Sequence, residues 1–363
     1  MPFRHLDFGG EMADNMVMSK YGFLETHNIP YKFEYTDRLV KLLMRIAETK
    51  PYLEEYLGQP LELQLLRQSK ILAITYSNQI EGNKLEVRGV TQILDSKKTK
   101  KEDKDILEIR NYSDALEYAE TLSREKSKLK SRDLCDIQKL VTKDLIPDLK
   151  QWGNIRTTKV EIADANTGQK IDELPEPHFV NELLSDLWKW LDDHAETNPF
   201  VKAFAFHYMA VAIHPFVDGN GRTMRLMQHL LLLKNGEHIA KFVPSETTIM
   251  KTRDTYYASI RQCKTLGTLN PIVEYLAECF AISAEQVIKD GKKLVKASID
   301  RKPHARRDKI ISLSKQQKEF TIQDVIKILP TIPRRTLERD LETLVNDKKI
   351  KAKGGTKART YSK

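Results

Sequence analysis

The chain has 363 residues, of which 40% are hydrophobic and 31% charged, and its net charge is +9. This length allows two or three domains, and the hydrophobic fraction suffices for a buried core, which excludes a disordered chain. No segment approaches the roughly 20 consecutive apolar residues that span a bilayer, so we expect no membrane association.

The opening 22 residues contain several charged side chains and no continuous apolar stretch, so no secretory signal is predicted. The three cysteines, Cys135, Cys263 and Cys279, are odd in number and widely separated. They lack the spacing of a metal site and are compatible with a reducing compartment. We therefore expect a cytoplasmic protein.

Residues 35–120 show recurrent apolar spacing and few prolines, which predicts helices. The second of these helices, at about residues 61–82, ends at Gly82, a residue typical of helix C-termini. Ser77 and Glu81 are four apart near that end and share one face. Taken alone, this pattern is most simply a solvated helix end.

At residues 152–171 the spacing of apolar residues changes from the helical pattern to an alternating one. Thr158, Val160 and Ile162 alternate with charged residues, and residues 166–168 (Asn-Thr-Gly) are typical of a turn. This pattern predicts a small β-hairpin in a chain that is otherwise mainly helical.

An apolar run over residues 198–213 predicts a buried helix that ends before Pro215, and Met224 begins another helical run. Between them lies the sequence His-Pro-Phe-Val-Asp-Gly-Asn-Gly-Arg-Thr-Met-Arg at residues 214–225. Its glycines form a turn that leads into a helix N-terminus, where free N–H groups and the helix dipole favour an anion. We expect a polyphosphate to bind there.

Four side chains of this stretch have the chemistry expected of a site that binds a polyphosphate and transfers a proton. Arg222 and Arg225 add cationic forks on the first turn of the helix. Asp218 would repel the anion unless a cation such as Mg²⁺ lay between them. His214 has an ordinary pKa suited to a general base near neutral pH. A lone histidine or Gly-Asn-Gly turn is more often structural, but their combination indicates a catalytic site.

Residues 214–225 resemble the signature of the Fic family, His-Pro-Phe-x-(Asp/Glu)-Gly-Asn-Gly-Arg-x-x-Arg, at every specified position. The resemblance implies a Fic-type helical core that transfers AMP from ATP to a Ser, Thr or Tyr hydroxyl. It implies that His214 is the base, that Asp218 holds Mg²⁺ or Mn²⁺, and that Phe216 anchors the loop. The phosphates are then bound by Gly219, Asn220, Gly221, Arg222 and Arg225.

The resemblance also gives roles to other segments. Ser77 and Glu81 match the family's inhibitory motif, (Ser/Thr)-x-x-x-Glu-(Gly/Asn), in which the glutamate pairs with Arg225 in place of the γ-phosphate. The hairpin corresponds to the flap that aligns the target segment. Tyr256 and Tyr257 correspond to aromatic residues that lie against adenine. The related phosphotransferase branch is disfavoured because it has lysine where Gly221 stands.

The C-terminal part differs in charge. Residues 291–363 contain 21 Lys or Arg against 8 Asp or Glu, a net charge of +13. Residues 291–308 are predicted to be a basic linker. Residues 309–363 have three short helix-like segments and a Gly354-Gly355 turn, and they resemble a winged helix. Such a domain binds DNA, here through Arg334, Arg335 and Arg339, or docks another protein.

We therefore expect an N-terminal helical region over residues 1–120, a catalytic core over 121–290, the linker, and the winged helix. The predicted function is autoinhibited protein adenylylation, with self-modification in a homodimer. Two alternatives stay open. Glu81 could position water for removal of AMP, or the chain could be a nucleotide-responsive DNA-binding regulator.

Overall fold

The computed structural model describes residues 20–58, 61–97, 103–163, 170–172, 174–355 and 359–363; residues 162–163, 170–172 and 297–301 are described by their backbone alone. The predicted turn at residues 166–168 and most of the opening segment lie outside the described residues. In the described part the structure is mainly α-helical, as predicted, with two short antiparallel sheets. Among these residues no helix is both long and apolar enough to cross a membrane.

The chain divides into two compact units. The first comprises Met1–Glu48 and Ser69–Ser283, and the second comprises Thr49–Gln68 and Ala284–Lys363. These boundaries differ from the predicted ones, because Thr49–Gln68 groups with the C-terminal part of the chain. Residues 291–308, which we expected to be a linker, are mostly helical, because residues 291–301 and 303–308 belong to helices. Apart from Gly291, residues 291–301 contain no helix breaker, and Pro303 occupies the first turn of a helix, where proline is tolerated.

Among the described residues before 302, twelve α-helices begin. They are α1 (Gly22–Thr26), α2 (Asp37–Glu54), α3 (Glu62–Ile80), α4 (Val87–Asp95), α5 (Lys104–Leu122), α6 (Ser131–Thr142), α7 (Val180–Asp193), α8 (Pro199–Ile213), α9 (Asn220–Lys234), α10 (Glu246–Lys251), α11 (Arg253–Leu266) and α12 (Asn270–Arg301). Short 3₁₀ segments occur at Leu149–Gln151, Pro177–Phe179 and His238–Phe242.

The core of the first unit is built around α8 and α9. Residues 200–210 of α8 are buried on every face, as expected for a helix that is apolar all round. It packs on α9 and α7, while α5 and α6 pack on α9. The α8 helix begins with Pro199 after an Asn198 cap, whose Oδ1 accepts a hydrogen bond from the Phe200 N–H at 3.0 Å. It ends at His214, and this places the motif at the meeting point of the packed helices.

The predicted hairpin is present but short. Strands β1 (Ile162–Ala163) and β2 (Lys170–Asp172) pair antiparallel, with Ile162 opposite Asp172. The regular strand does not include Thr158 or Val160, although both belong to the alternating pattern.

In the second unit, three helices pack against each other and are followed by a β-ribbon. They are α13 (Pro303–Gln316), α14 (Ile322–Ile328) and α15 (Arg334–Asn346), and the ribbon consists of β3 (Lys351–Lys353) and β4 (Thr360–Ser362). Phe320 forms a bridge to Tyr361, so the ribbon continues to the segment before α14. Apolar side chains from all three helices form the core, and the buried carboxylate of Asp340 accepts hydrogen bonds from the Arg306 guanidinium.

Candidate active site

The motif occupies the loop between α8 and α9, and its backbone depends on one glycine. His214 (φ 53°) and Gly219 (φ 79°) both lie in the left-handed region. A Cβ atom at Gly219 would lie 2.7 Å from Cγ2 of Thr142 on α6, so the loop passes too close to α6 for any side chain. The close approach holds the start of α9 against α6.

Asn220 and Phe216 hold the loop closed. The Phe216 N–H donates to Asn220 Oδ1 at 3.0 Å, and Asn220 Nδ2 donates to the Phe216 carbonyl at 2.8 Å. Phe216 is fully buried, as the resemblance implied. The Asn220 side chain therefore binds the loop itself, and the group it can offer to a phosphate is its backbone N–H.

The first turn of α9 presents N–H groups that have no intrahelical acceptor, as at any helix N-terminus. These groups belong to Asn220, Gly221 and Arg222, and the Thr223 N–H makes the first helical hydrogen bond, to the Gly219 carbonyl at 2.9 Å. Gly221 lies in this turn and has no side chain, so an anion can approach the backbone closely.

Arg222 is almost fully buried beside this turn. Its Nη1 lies 3.3 Å from Glu108 Oε1, and its Nη2 lies 3.6 Å from Asp218 Oδ1. Glu108 in turn accepts a hydrogen bond from Asn83 Nδ2 at 2.8 Å. The sequence analysis did not identify Glu108, because its role depends on the packing of α5 against α9.

Arg225 is held by the end of α3. Its Nε donates to Ser77 Oγ at 2.8 Å, and its Nη2 donates to the Ser77 carbonyl at 2.9 Å and to Glu81 Oε1 at 2.7 Å. Arg225 is 2% exposed, whereas 33% of the Glu81 side chain is accessible. The predicted contact between Glu81 and Arg225 is therefore present in the structure.

The turn after α3 directs Glu81 toward α9. Gly82 has φ 99°, and the Asn83 N–H donates back to the Asn78 carbonyl at 3.1 Å, which ends the helix in the manner expected of a C-terminal glycine. A Cβ atom at Gly221 would collide with the Glu81 carboxylate. Glu81 thus covers the place where an anion would approach Gly221.

Both partners of this pair are charged. Burial alone would raise the pKa of the Glu81 carboxyl, but the charge and hydrogen bond of Arg225, together with the charges of Arg222 and Arg253, lower it below its ordinary value. Although burial opposes it, the Glu81 carboxylate raises the pKa of Arg225. The contact is therefore an ion pair across the neutral pH range.

His214 is largely buried and neutral at pH 7. Its pKa is lowered to about 4, chiefly by burial and further by the Arg156 guanidinium, while the Val211 backbone and the Glu81 and Asp218 carboxylates act in the opposite direction. A neutral imidazole can accept a proton, as a general base must.

Arg156 is a second residue that the sequence analysis did not identify. It is 3% exposed, and its Nε donates to the His214 carbonyl at 2.7 Å. Its backbone N–H donates to the Pro215 carbonyl at 2.9 Å. It therefore contacts the motif loop through main-chain atoms, and a sequence pattern does not show such contacts.

A cavity of about 350 Å³ opens beside the end of α8. Its walls include Leu174, Pro175, Tyr208, Val211, Ile260 and Lys264. This size is in the range of small-ligand sites.

The two predicted adenine-pocket tyrosines have different surroundings. Tyr256 is 3% exposed, and its hydroxyl hydrogen-bonds to His207 Nε2 at 2.8 Å, so it is a core residue. Tyr257 is half-buried, with the Arg253 guanidinium 5.6 Å from its ring centroid. On α11, Tyr257 shares a face with Ile260 and Lys264, which line the cavity.

Asp218 is the exposed carboxylate of the loop, with 56% of its side chain accessible. Across the described ranges, no cluster of three or more His, Cys, Asp or Glu residues is arranged to hold a metal ion. A metal at Asp218 would therefore need further ligands from a bound molecule.

The Fic/DOC family model matches residues 128–232. This part of the chain is therefore similar to the Fic domain. The match includes His214, Asp218 and Arg225, but Ser77 and Glu81 lie before it.

Relatives of the Fic domain include the protein adenylyltransferase fic-1 of Caenorhabditis elegans, which is 30% identical over 230 residues, covering 62% of this chain and 42% of the relative. The protein adenylyltransferase Fic of Nematostella vectensis is 28% identical over 212 residues, covering 57% and 46% of the two chains. The chain thus spans less than half the length of these relatives.

Solved structures with a similar fold include a Fic family protein from Desulfovibrio desulfuricans, with a TM-score of 0.64 at 24% identity, covering 91% of this chain and 97% of the other. A fragment of C. elegans Fic-1 has a TM-score of 0.55 at 25% identity, covering 70% and 74%.

Proposed function

We propose that this chain transfers AMP from ATP to a Ser, Thr or Tyr hydroxyl of a protein. The observation that carries the proposal is a neutral His214 at the end of α8, in the loop that leads into α9, whose first two turns contain Arg222 and Arg225. The relatives with the same domain are protein adenylyltransferases by name. Their longer chains make the activity of this chain a proposal that experiment must test.

In the proposed reaction, the His214 imidazole accepts the proton of the target hydroxyl. The oxygen forms a bond to the α-phosphorus, the bond from that phosphorus to the bridging oxygen breaks, and pyrophosphate leaves. The N–H groups at the start of α9 and the charges of Arg222 and Arg225 bind the phosphates. The 350 Å³ cavity, which includes Val211 three residues before His214, is our candidate for the nucleobase site.

We further propose that Asp218 helps to hold Mg²⁺ or Mn²⁺ together with phosphate oxygens. One exposed carboxylate suits this arrangement, because Mg²⁺ commonly binds through one or two carboxylates and substrate phosphates. The ion would neutralise charge on the phosphates. Asp218 also lies 3.6 Å from Arg222, so the cation would compete with that weak pairing.

Glu81 is the proposed inhibitor. Its carboxylate pairs with the Arg225 guanidinium, which would otherwise bind the terminal phosphate of ATP. The same carboxylate covers Gly221. ATP must break this ion pair to make all of its contacts with the site. ATP therefore binds weakly, or binds with its α-phosphate misaligned for attack by the hydroxyl.

The adenylyl assignment can be separated from phosphoryl transfer with two labels. The Glu81→Gly chain is incubated with ATP labelled in the α-phosphate or in the γ-phosphate, and protein-bound label is measured. Transfer of the α-label alone supports adenylylation. Transfer of the γ-label would overturn it.

Removal of AMP is a second candidate, because the Glu81 carboxylate is ionised, partly accessible and close enough to influence His214. It could accept a proton from an attacking water. An adenylylated sample of the protein, prepared with Glu81→Gly and then mixed with the unchanged chain, tests this function. Loss of label that depends on Glu81 would support it, and stable label would exclude it.

We also propose that the C-terminal part of the second unit is a winged helix that binds DNA. Three helices and a β-ribbon support this proposal, as do the exposed Arg335, Arg339, Lys351 and Lys353. Arg334 is less suited to contact DNA, because it pairs with Glu338 at 2.7 Å.

Binding of a random-sequence duplex at increasing salt tests the DNA proposal. Each phosphate contact adds roughly 0.9 to the slope of log affinity against log salt, so a steep slope that flattens in Arg335→Gln/Arg339→Gln supports it. Lys318→Gln, an exposed lysine before α14, is the control. A flat slope in the unchanged chain would favour docking of a protein.

We also propose that the protein is a cytoplasmic homodimer and that it adenylylates itself. Self-labelling between chains should rise with protein concentration, whereas labelling within one chain should not. Mixing an active chain with a tagged His214→Ala chain distinguishes the two.

A further inference from the structure

Arg156 lies between the motif loop and the two ends of the hairpin. On the loop side, its Nε donates to the His214 carbonyl at 2.7 Å and its backbone N–H donates to the Pro215 carbonyl at 2.9 Å. On the hairpin side, its Nη1 donates to the Thr158 carbonyl at 3.4 Å and its Nη2 to the Pro175 carbonyl at 2.6 Å. Thr158 precedes the hairpin and Pro175 follows it.

All four acceptors are main-chain carbonyls, so the contacts fix backbone positions. The guanidinium is planar and its donors have a fixed geometry, so it can set the separation of the groups that it joins. A lysine at this position would have one ammonium group for acceptors in several directions. Arg156 is also 3% exposed, which makes water a poor competitor for these contacts.

We propose that Arg156 is a positioning residue that fixes the hairpin relative to the His214 backbone, so that a protein segment lying along the hairpin presents its hydroxyl to the His214 imidazole. This inference rests on the proposed adenylyl transfer and on the resemblance of the hairpin to a flap that aligns the target segment, and it adds the residue that holds the hairpin in place. Arg156 itself touches main-chain carbonyls of the enzyme and is not assigned a contact with the reacting atoms.

Other groups near this contact support the arrangement. Lys159 pairs with Glu176 at 2.5 Å, which joins the same two ends of the hairpin through side chains. This second pair is accessible to water, so we expect it to contribute little. The buried guanidinium is the stronger connection.

The electrostatic effect of Arg156 gives a second readout. Its positive charge helps to lower the pKa of His214, against the influence of Glu81 and Asp218. Arg156→Lys keeps the positive charge but removes the planar guanidinium donors, whereas Arg156→Gln removes both the charge and those donors. The acid limb of the pH–rate profile should therefore move to higher pH in Arg156→Gln and much less in Arg156→Lys.

Amide hydrogen exchange of the full chain without nucleotide tests the positioning role independently of activity. In Arg156→Lys, we expect exchange to accelerate roughly tenfold in peptides from residues 156–163 and 212–217, while peptides from α5, α6 and α9 exchange as before. Arg132→Lys, on the exposed face of α6, is the matched control and should change neither region. Unchanged exchange in both peptides would overturn the inference.

Kinetics in the Glu81→Gly background separate positioning from nucleotide binding. We expect Arg156→Lys to reduce transfer of α-label roughly 10- to 100-fold, because a small misplacement has a large effect on an aligned reaction. Binding of inorganic triphosphate, which has no base to enter the cavity beside Pro175, should change less than about twofold, since Arg156 contacts none of the proposed phosphate ligands. Equal losses of binding and transfer would contradict positioning.

The possible failures remain distinguishable. If Glu81→Gly transfers no label, the proposed function fails while the exchange experiment still tests Arg156. If Arg156→Lys and Arg156→Gln both lose protection throughout the first unit, Arg156 maintains the fold and the positioning role is overturned.

Discussion

Arg225 Nη2 donates to Glu81 Oε1 at 2.7 Å, and this contact joins the end of α3 to the helix that follows the motif. The same Nη2 also donates to the Ser77 carbonyl, and the neighbouring Nε donates to Ser77 Oγ. Removing Glu81 therefore frees one N–H of Nη2, while the two hydrogen bonds to Ser77 still hold the arginine in position.

Replacing Glu81 with Gly should increase both ATP affinity and AMP transfer. A hydrogen bond to a charged group contributes about 1.5–3 kcal/mol, which corresponds to roughly 10- to 150-fold in an equilibrium. Calorimetric titration with ATP measures the first effect. Glu117→Gly, at an exposed position on α5, is the control for a lost glutamate. An unchanged ATP affinity in Glu81→Gly would show that the ion pair does not restrain nucleotide binding.

Gly219→Ala should destabilise the protein and disrupt the loop. Its φ of 79° is strained for alanine, and the added Cβ would lie 2.7 Å from Thr142 Cγ2. Gly236→Ala is a matched control, because Gly236 has φ 82° and nothing within 4 Å of the added atom. Backbone strain alone costs about 1–3 kcal/mol, so both variants lose stability and Gly219→Ala loses more. Urea unfolding measures the difference, and equal losses would mean that α6 does not constrain the loop.

The transfer rate of Glu81→Gly should be nearly constant from pH 8 to pH 6. The folded His214 has a pKa of about 4, so the neutral imidazole predominates throughout this range and protonation removes the base only as pH approaches 4. Unfolded histidine has a pKa near 6.5 and binds a proton first as pH falls. His214 therefore lowers stability progressively from about pH 6.5 to pH 4. A rate that halves near pH 6.5, with the protein still folded, would contradict the shifted pKa.

Asp340→Asn should destabilise the second unit strongly. Asp340 is 1% exposed and accepts hydrogen bonds from Arg306, which is itself buried. Removing one member of a buried ion pair costs about 3–5 kcal/mol, because the remaining charge loses its partner. Asp347→Asn, an exposed position after α15, should be nearly neutral. Thermal unfolding of both variants tests the contrast, and similar midpoints would show that the Arg306 contact is dispensable.

The sequence predicted the parts of the site that depend on local pattern. The motif at residues 214–225, the helix end at Gly82 and the pairing of Glu81 with Arg225 all follow from residue types at short spacing or from the family resemblance. The side-chain contacts of Asn220 were not predictable in this way, because its amide satisfies the Phe216 backbone.

Contacts between distant segments were harder to predict. Arg156 binds main-chain carbonyls, which every residue has, so no residue type indicates its partners. Glu108 depends on how α5 packs against α9. Tyr256 and Tyr257 are adjacent, and their helix orientation alone decides which of them is buried in the core.

The most direct test of the account is transfer of label from α-labelled ATP to protein by three chains: the unchanged chain, Glu81→Gly, and Glu81→Gly/His214→Ala. We predict weak labelling by the first, strong labelling by the second and none by the third. Equal labelling by the first two would contradict inhibition by Glu81. Labelling that persists without His214, or no labelling by any of the three, would contradict adenylyl transfer at this site.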